Sequence, residues 1–159
     1  MGSMYLVPFE NVTVSAAQDL WEISPADDRP IRIWGWTIAN VGGTADAADA
    51  QEELLRLSIV RGHTTSGSGG STPTISPVHQ VGEATAGFAA EVNNTTIAST
   101  AGTTIAAGFP FNVRVGGDYL FPPEFTPYAS QANTTIVVRL VAAPADAVSM
   151  SGTLYVEEV

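Results

Sequence analysis

The sequence predicts an all-β fold: a single antiparallel β-sandwich of jelly-roll type, with eight to ten strands, spanning residues 1–159. Three observations carry that prediction. Short runs rich in Val, Ile, Thr, Tyr, Phe and Trp recur along the whole chain. Clusters of Gly, Pro, Asn and Asp separate them roughly every eight to fifteen residues, the rhythm of a sandwich rather than of βαβ units. Only one stretch, Thr44–Leu57, is rich in helix formers, and its second half also alternates as a strand.

Taken in order, Tyr5–Phe9 and Val12–Ser15 read as two short strand segments, with Pro8 suited to a sheet edge. Asp19–Ser24 is the next, with Leu20 and Glu22 on one face and Trp21 and Ile23 on the other. The turn Pro25–Pro30 leads into Pro30–Asn40, PIRIWGWTIAN, the strongest strand signal in the chain. Strict alternation puts Ile31, Ile33, Gly35, Thr37 and Ala39 on one face of it and Arg32, Trp34, Trp36 and Ile38 on the other. Neither face is polar, so both require a cover. The expectation is that Ile31 and Ile33 lie in the core, with Trp34 and Trp36 against a second layer or a subunit boundary.

Thr44 to about Gln51 reads as a loop or short helical turn, followed by a strand over Glu52–Arg61. Residues 62–77, GHTTSGSGGSTPTISP, are expected to form a flexible Gly/Ser-rich loop. Val78–Gly82, Ala90–Ser99, Thr103–Ala107 and Phe111–Val115 are further strand candidates, the last closed by a Gly116-Gly117-Asp118 turn. Tyr119–Tyr128, YLFPPEFTPY, has too many prolines for a regular helix or central strand. Asn133–Ala142 is a long strand, and Ser149–Glu157 closes the chain with Met150, Gly152, Leu154 and Val156 on one face.

Composition narrows the function. The net charge is −10, there is no lysine, and the six arginines are scattered singly. Phosphate backbones and anionic membranes need clustered positive charge, so neither nucleic acid nor membrane is an expected partner. Charged residues make up only 14% of the chain, against about 25% in typical domains, which favours burial of surface in an assembly. Cysteine is absent, and no apolar run reaches membrane-spanning length.

Recognisable catalytic chemistry is missing too. The two histidines, His63 and His79, belong to no metal-ligand motif, and the serines of residues 66–71 form no nucleophile elbow. Without lysine there is neither a Walker loop nor Schiff-base chemistry. Asp46, Asp49, Glu52 and Glu53 are the densest acids but do not match an EF-hand loop. The expectation is therefore a non-enzymatic protein with no catalytic residue, cofactor or metal. Two aromatic groups remain as interface candidates: Trp34 and Trp36, and Phe121, Phe125 and Tyr128 of the proline-rich segment.

The order of segments (DLWEI, PIRIWGWTI, EELLRLSIVRG, SGSGGSTPTISP, NNTTIAST, FNVRVG, a Pro-Pro-Glu stretch and LVAAPADAVSMSGTLYVEE) resembles small structural proteins of tailed bacteriophages. It is similar to their jelly-roll capsid decoration, or cement, proteins. The resemblance spans nearly the whole chain and brings no catalytic residues with it. It implies a virion protein made in the bacterial host cytoplasm. That protein forms a homo-oligomer, a trimer by expectation, and binds and stabilises shells of major capsid protein. The alternatives are a carbohydrate-binding sandwich, part of a spike or fibre, stacking sugars on Trp34, Trp36 or Tyr128, and a sandwich enzyme with a carboxylate site.

Overall fold

The computed structural model describes residues 2–40, 52–79, 84–99, 102–130 and 134–159. Eleven strands are formed among them: β1 (Ser3–Val14), β2 (Gln18–Ser24), β3 (Ile31–Asn40), β4 (Leu54–Arg61), β5 (Ser76–Pro77), β6 (Ala89–Asn94), β7 (Thr103–Asn112), β8 (Gly117–Leu120), β9 (Tyr128–Ala129), β10 (Ile136–Leu140) and β11 (Val148–Glu158). One sheet has the order β5-β1-β11-β3-β8, with β9 also on β3; the other has the order β6-β2-β10-β4-β7. All pairings are antiparallel. The chain changes sheet at every step from β1 to β6, and again between β7 and β8, β9 and β10, and β10 and β11. The two sheets pack as an antiparallel β-sandwich, as the sequence predicts.

Strand count and boundaries differ from expectation for local reasons. The two segments at residues 5–9 and 12–15 are one strand, β1, because a bulge between Phe9 and Val12 absorbs Glu10 and Asn11. Asn11 takes the left-handed conformation (φ 52°) that the bulge needs and that Asn tolerates. Phe111 and Asn112 finish β7 instead of starting a strand, and Val113–Val115 turn the chain over to β8. The expected Gly116-Gly117-Asp118 turn therefore lies partly inside β8. The loop or helical turn read at 44–51 lies outside the described residues. Residues 95–99, read as strand, leave the ladder after Asn94.

The interior joins both sheets. Tyr5, Val7, Phe9, Ile31, Ile33, Leu154 and Val156 meet Leu20, Trp21, Ile23, Leu57, Ile59, Ile136 and Val138, all buried. Burial of each large side chain is worth about 1.5–3 kcal/mol, so this layer supplies most of the driving force. Trp21 also ties the sheets directly, since its indole N–H donates to the Val7 carbonyl at 3.0 Å.

A bulge in β3 decides which of its aromatics enter that interior. Its ladder with β11 shifts register between Tyr155 and Val156: Val156 pairs with Ile33, and Tyr155 with Gly35, leaving Trp34 as the extra residue. Parity therefore flips in mid-strand. Ile31, Ile33, Trp36 and Ile38 all bury on one side, while Arg32, Trp34, Thr37 and Ala39 are half-buried on the other. The apparent two-sided apolarity of PIRIWGWTIAN is resolved by a register break, and the second apolar face does not exist as drawn. Gly35 makes the break possible. Its φ of 154° is unsuited to a side chain, and a Cβ there would run into the Tyr119 carbonyl of β8.

Among the described residues, four carboxylates are buried on folding: Asp19, Glu22, Glu157 and Glu158. Each binds chain distant in sequence. Asp19 pairs with Arg139 of β10 (2.5 and 3.1 Å) and accepts the Ala98 N–H at 2.6 Å. Glu22 accepts from the Ser66 hydroxyl, the Gly67 N–H (3.0 Å) and the Asn94 amide (2.8 Å). Glu158 accepts the N–H groups of Gly87 (2.8 Å) and Phe88 (3.1 Å) and pairs with Arg29 at 3.4 Å. Buried charges persist only when satisfied in this way.

Glu22 has a visible consequence. The Gly/Ser-rich stretch lies along β6 rather than away from the body. Ser68 exchanges backbone hydrogen bonds with Thr96 (2.9 Å each), and Ser71 with Val92 (3.0 and 2.9 Å). The glycines permit this close approach, since a Cβ on Gly67 would press on Thr96, Asn94 and Glu22.

Two outcomes test this account by urea denaturation. Gly35→Val should lower stability by about 3–5 kcal/mol, in the upper tail of single substitutions, because it strains the backbone and clashes with β8. Arg139→Met should cost a comparable ~3–5 kcal/mol by leaving Asp19 buried without its counter-charge.

Candidate interaction surface

Outer side chains of the first sheet fall into rows that follow the ladder registers. One row runs Met4, Glu157, Arg32, Tyr128. The next runs Leu6, Tyr155, Gly35, Leu120, with Trp34 bulged out beside Gly35. A third runs Pro8, Thr153, Thr37, Asp118. The middle row is apolar and aromatic, and the third carries hydroxyls and a carboxylate.

The structure divides the five aromatic interface candidates. Trp34 is half-buried on the outer face, its indole N–H donating to Glu157 Oε2 at 2.8 Å. Glu157 also accepts the Gly2 N–H at 3.0 Å, so one buried carboxylate orients the ring and holds the start of β1. Phe125 is 75% exposed and Tyr128 39% exposed. Trp36 and Phe121 are corrections. Trp36 is only 2% exposed and Phe121 7%, and both belong to the interior.

The reason is the β3 bulge together with the way the proline-rich segment folds. Trp36 packs on Phe109, Tyr119 and Phe121 with ring centroids 5.1, 5.5 and 5.6 Å apart, mostly edge to face. These four rings close the end of the sandwich between β7 and β8, and such pairs add about 0.5–1.5 kcal/mol each beyond area burial. Trp34 and Trp36 therefore form no stacking row, and Trp36 is unavailable to a sugar.

The segment YLFPPEFTPY folds along the β3 edge. Tyr119 and Leu120 end β8, Pro123–Phe125 form a 3-10 turn, and Tyr128 begins β9. Backbone bonds lock both ends onto β3: the Phe121 N–H donates to the Trp34 carbonyl (2.8 Å), and the Ile33 N–H to the Pro127 carbonyl (2.9 Å). Alternation then turns Tyr119, 37% exposed, and buried Phe121 toward Trp36 and leaves Leu120 outside, opposite Gly35 and 68% exposed. Phe125 and Tyr128 of the same segment are exposed too, so this corner of the sheet's rim carries three exposed apolar side chains. Monomeric proteins expose single apolar residues freely, but contiguous ones mark contact sites. The sequence reading missed Leu120 because it treated the ten-residue segment as one aromatic block. Applying period-two alternation from Gly117 would have found it.

Beside the apolar row lies an open groove of about 380 Å³ over β1, β11, β3 and β8. Thr37, Ser151 and Thr153 line it, together with Glu10 and Asp118. Among the described residues no group of three or more metal-type side chains comes together. Asp46 and Asp49, half of the acidic cluster singled out in the sequence, lie outside the described residues. Glu53 of that cluster accepts the Ala145 N–H at 3.0 and 3.1 Å. Among the described residues no helix is long and apolar enough to cross a membrane.

No protein-family model matches the chain, and neither does any curated protein or solved structure.

The split of the aromatics is measurable by denaturation. Phe121→Ala should cost about 3–5 kcal/mol, as a core aromatic does. Phe125→Ala, four residues on, should stay within about 0.5 kcal/mol of the parent.

Proposed function

We propose that this chain is a non-enzymatic structural protein that works by contact, self-associating and covering a protein shell in the manner of the phage capsid decoration proteins its segment order resembles. The observation that carries the reading is the exposed apolar corner of Leu120, Phe125 and Tyr128 on the first sheet's rim, in a chain with only 14% charged residues. Fixed to β3 by backbone bonds at both ends, that corner is a preorganised surface, which limits the ordering cost of association.

Strand order supports the jelly-roll form of the fold. Setting aside β5, β6 and β9, the remaining eight strands fall into sheets of first, eighth, third and sixth, and second, seventh, fourth and fifth. That order is the one a double-Greek-key jelly roll would have, which favours this reading. Closed symmetry, a trimer in this reading, buries one apolar corner several times over. A protein that binds only the assembled shell of major capsid protein stabilises that shell by mass action, and the place of action is then the virion surface.

Light scattering after size exclusion tests self-association. The parent chain should elute as a single closed oligomer, and Leu120→Ser/Phe125→Ser should elute as a folded monomer. A monomeric parent sinks the assembly reading. For the shell, the chain should co-sediment with assembled major capsid protein from the same genome and raise its melting temperature. A parent that leaves shells unchanged removes the decoration role.

A further inference from the structure

A second feature of the first sheet's outer face is its polar groove. Its floor is the row Thr153, Thr37 and Asp118, continued by Ser151, with Glu10 at the β1 end. The row crosses four strands, so the outer two lie three inter-strand spacings, about 14 Å, apart. At about 380 Å³ it falls in the size range of small-molecule sites, about 300–1,000 Å³.

Small residues contribute to its lining. Gly116, Gly117, Ala39 and Gly152 line it, beside Glu10 and Val115. Gly152 is constrained from beneath, because a Cβ there would press on the Trp21 ring.

Chemistry then selects the occupant. Among the described residues, Glu10 and Asp118 line the groove and no arginine does, in a chain with no lysine. An anionic ligand such as a phosphate, a sulfate or a sialylated sugar meets repulsion with no counter-charge. Three hydroxyls and two carboxylates offer both donors and acceptors. The adjacent row supplies partly buried Tyr155, two residues along β11 from Thr153, a ring on which an apolar sugar face can lie.

We propose that this groove binds a neutral oligosaccharide, held by Thr37, Thr153, Ser151 and Asp118 with Tyr155 flanking it. This goes beyond the assembly reading and does not rest on it. It also places sugar contact on a hydroxyl floor, where the sequence had suggested a Trp34–Trp36 stacking row.

The test is an array of neutral cello-, malto-, chito- and mannan-type oligosaccharides, followed by calorimetry on the strongest hit. The parent chain should bind at least one. Thr37→Val, which keeps the strand's shape and β-preference, and exposed Asp118→Asn should each weaken binding about tenfold or more, equivalent to about 1.4 kcal/mol. Circular dichroism confirms their folding, and if Thr37→Val fails to fold, Asp118→Asn decides alone. Leu120→Ser/Phe125→Ser should retain sugar binding, which separates this site from the assembly surface. Three results overturn the proposal: no array signal from folded protein, binding unchanged in both groove variants, or capture of a hexa-arginine peptide, but no sugar, with the same variant sensitivity.

Discussion

The register break at Trp34 and Gly35 is the constraint on which much of the first sheet depends. A regular β3 would put Trp36 outside and Thr37 inside, leaving a hydroxyl in the core and an indole in water. One extra residue keeps Ile31, Ile33, Trp36 and Ile38 together in the interior. It also fixes what lies beside them. Gly35 lets β8 approach, β8 brings Tyr119 and Phe121 onto Trp36, and Leu120 is left outside. The apolar corner and the plug that closes the sandwich therefore share one cause.

Around this apolar interior, buried carboxylates do what a larger core would otherwise do. Asp19, Glu22, Glu157 and Glu158 sit on strands and reach for backbone N–H groups or polar side chains of irregular chain. The desolvation cost of each charge is offset only when those partners are in place. Segments with almost no apolar content, such as SGSGGS, are thereby held against the body by polar contacts alone.

How much of this was legible in the sequence follows from period-two reasoning and its failures. Alternation placed Met150, Gly152, Leu154 and Val156 on a common face, and all four are buried. Ile31 and Ile33 were placed in the core and lie there. Alternation failed where bulges intervened: at Trp34–Gly35, at Glu10–Asn11, and in β2, where a register shift against β10 lets Leu20 join Trp21 in the interior. A bulge is set by partner strands remote in sequence, so local pattern does not reveal it. Glu22 stands next to Trp21 and reads as an ordinary solvent-facing acid, because its partners lie 44 to 72 residues away. The groove was invisible for a similar reason, since its floor comes from four strands whose small residues carry no motif.

The pairing of β1 with β11 carries a consequence for the order of assembly. Ser3 lies opposite Glu158, and β11 sits between β1 and β3 as the central strand of the first sheet. During synthesis, β1 and β3 emerge early with no strand to join them. The first sheet closes only after β11 has left the ribosome. Such non-local closure pays loop entropy before any contact rewards it, and it makes folding slow. Until then the unpaired borders of β1 and β3 are open to equivalent borders on neighbouring nascent chains. Expression yield should thus depend on temperature and on chaperone supply more strongly than the stability of the finished sandwich suggests.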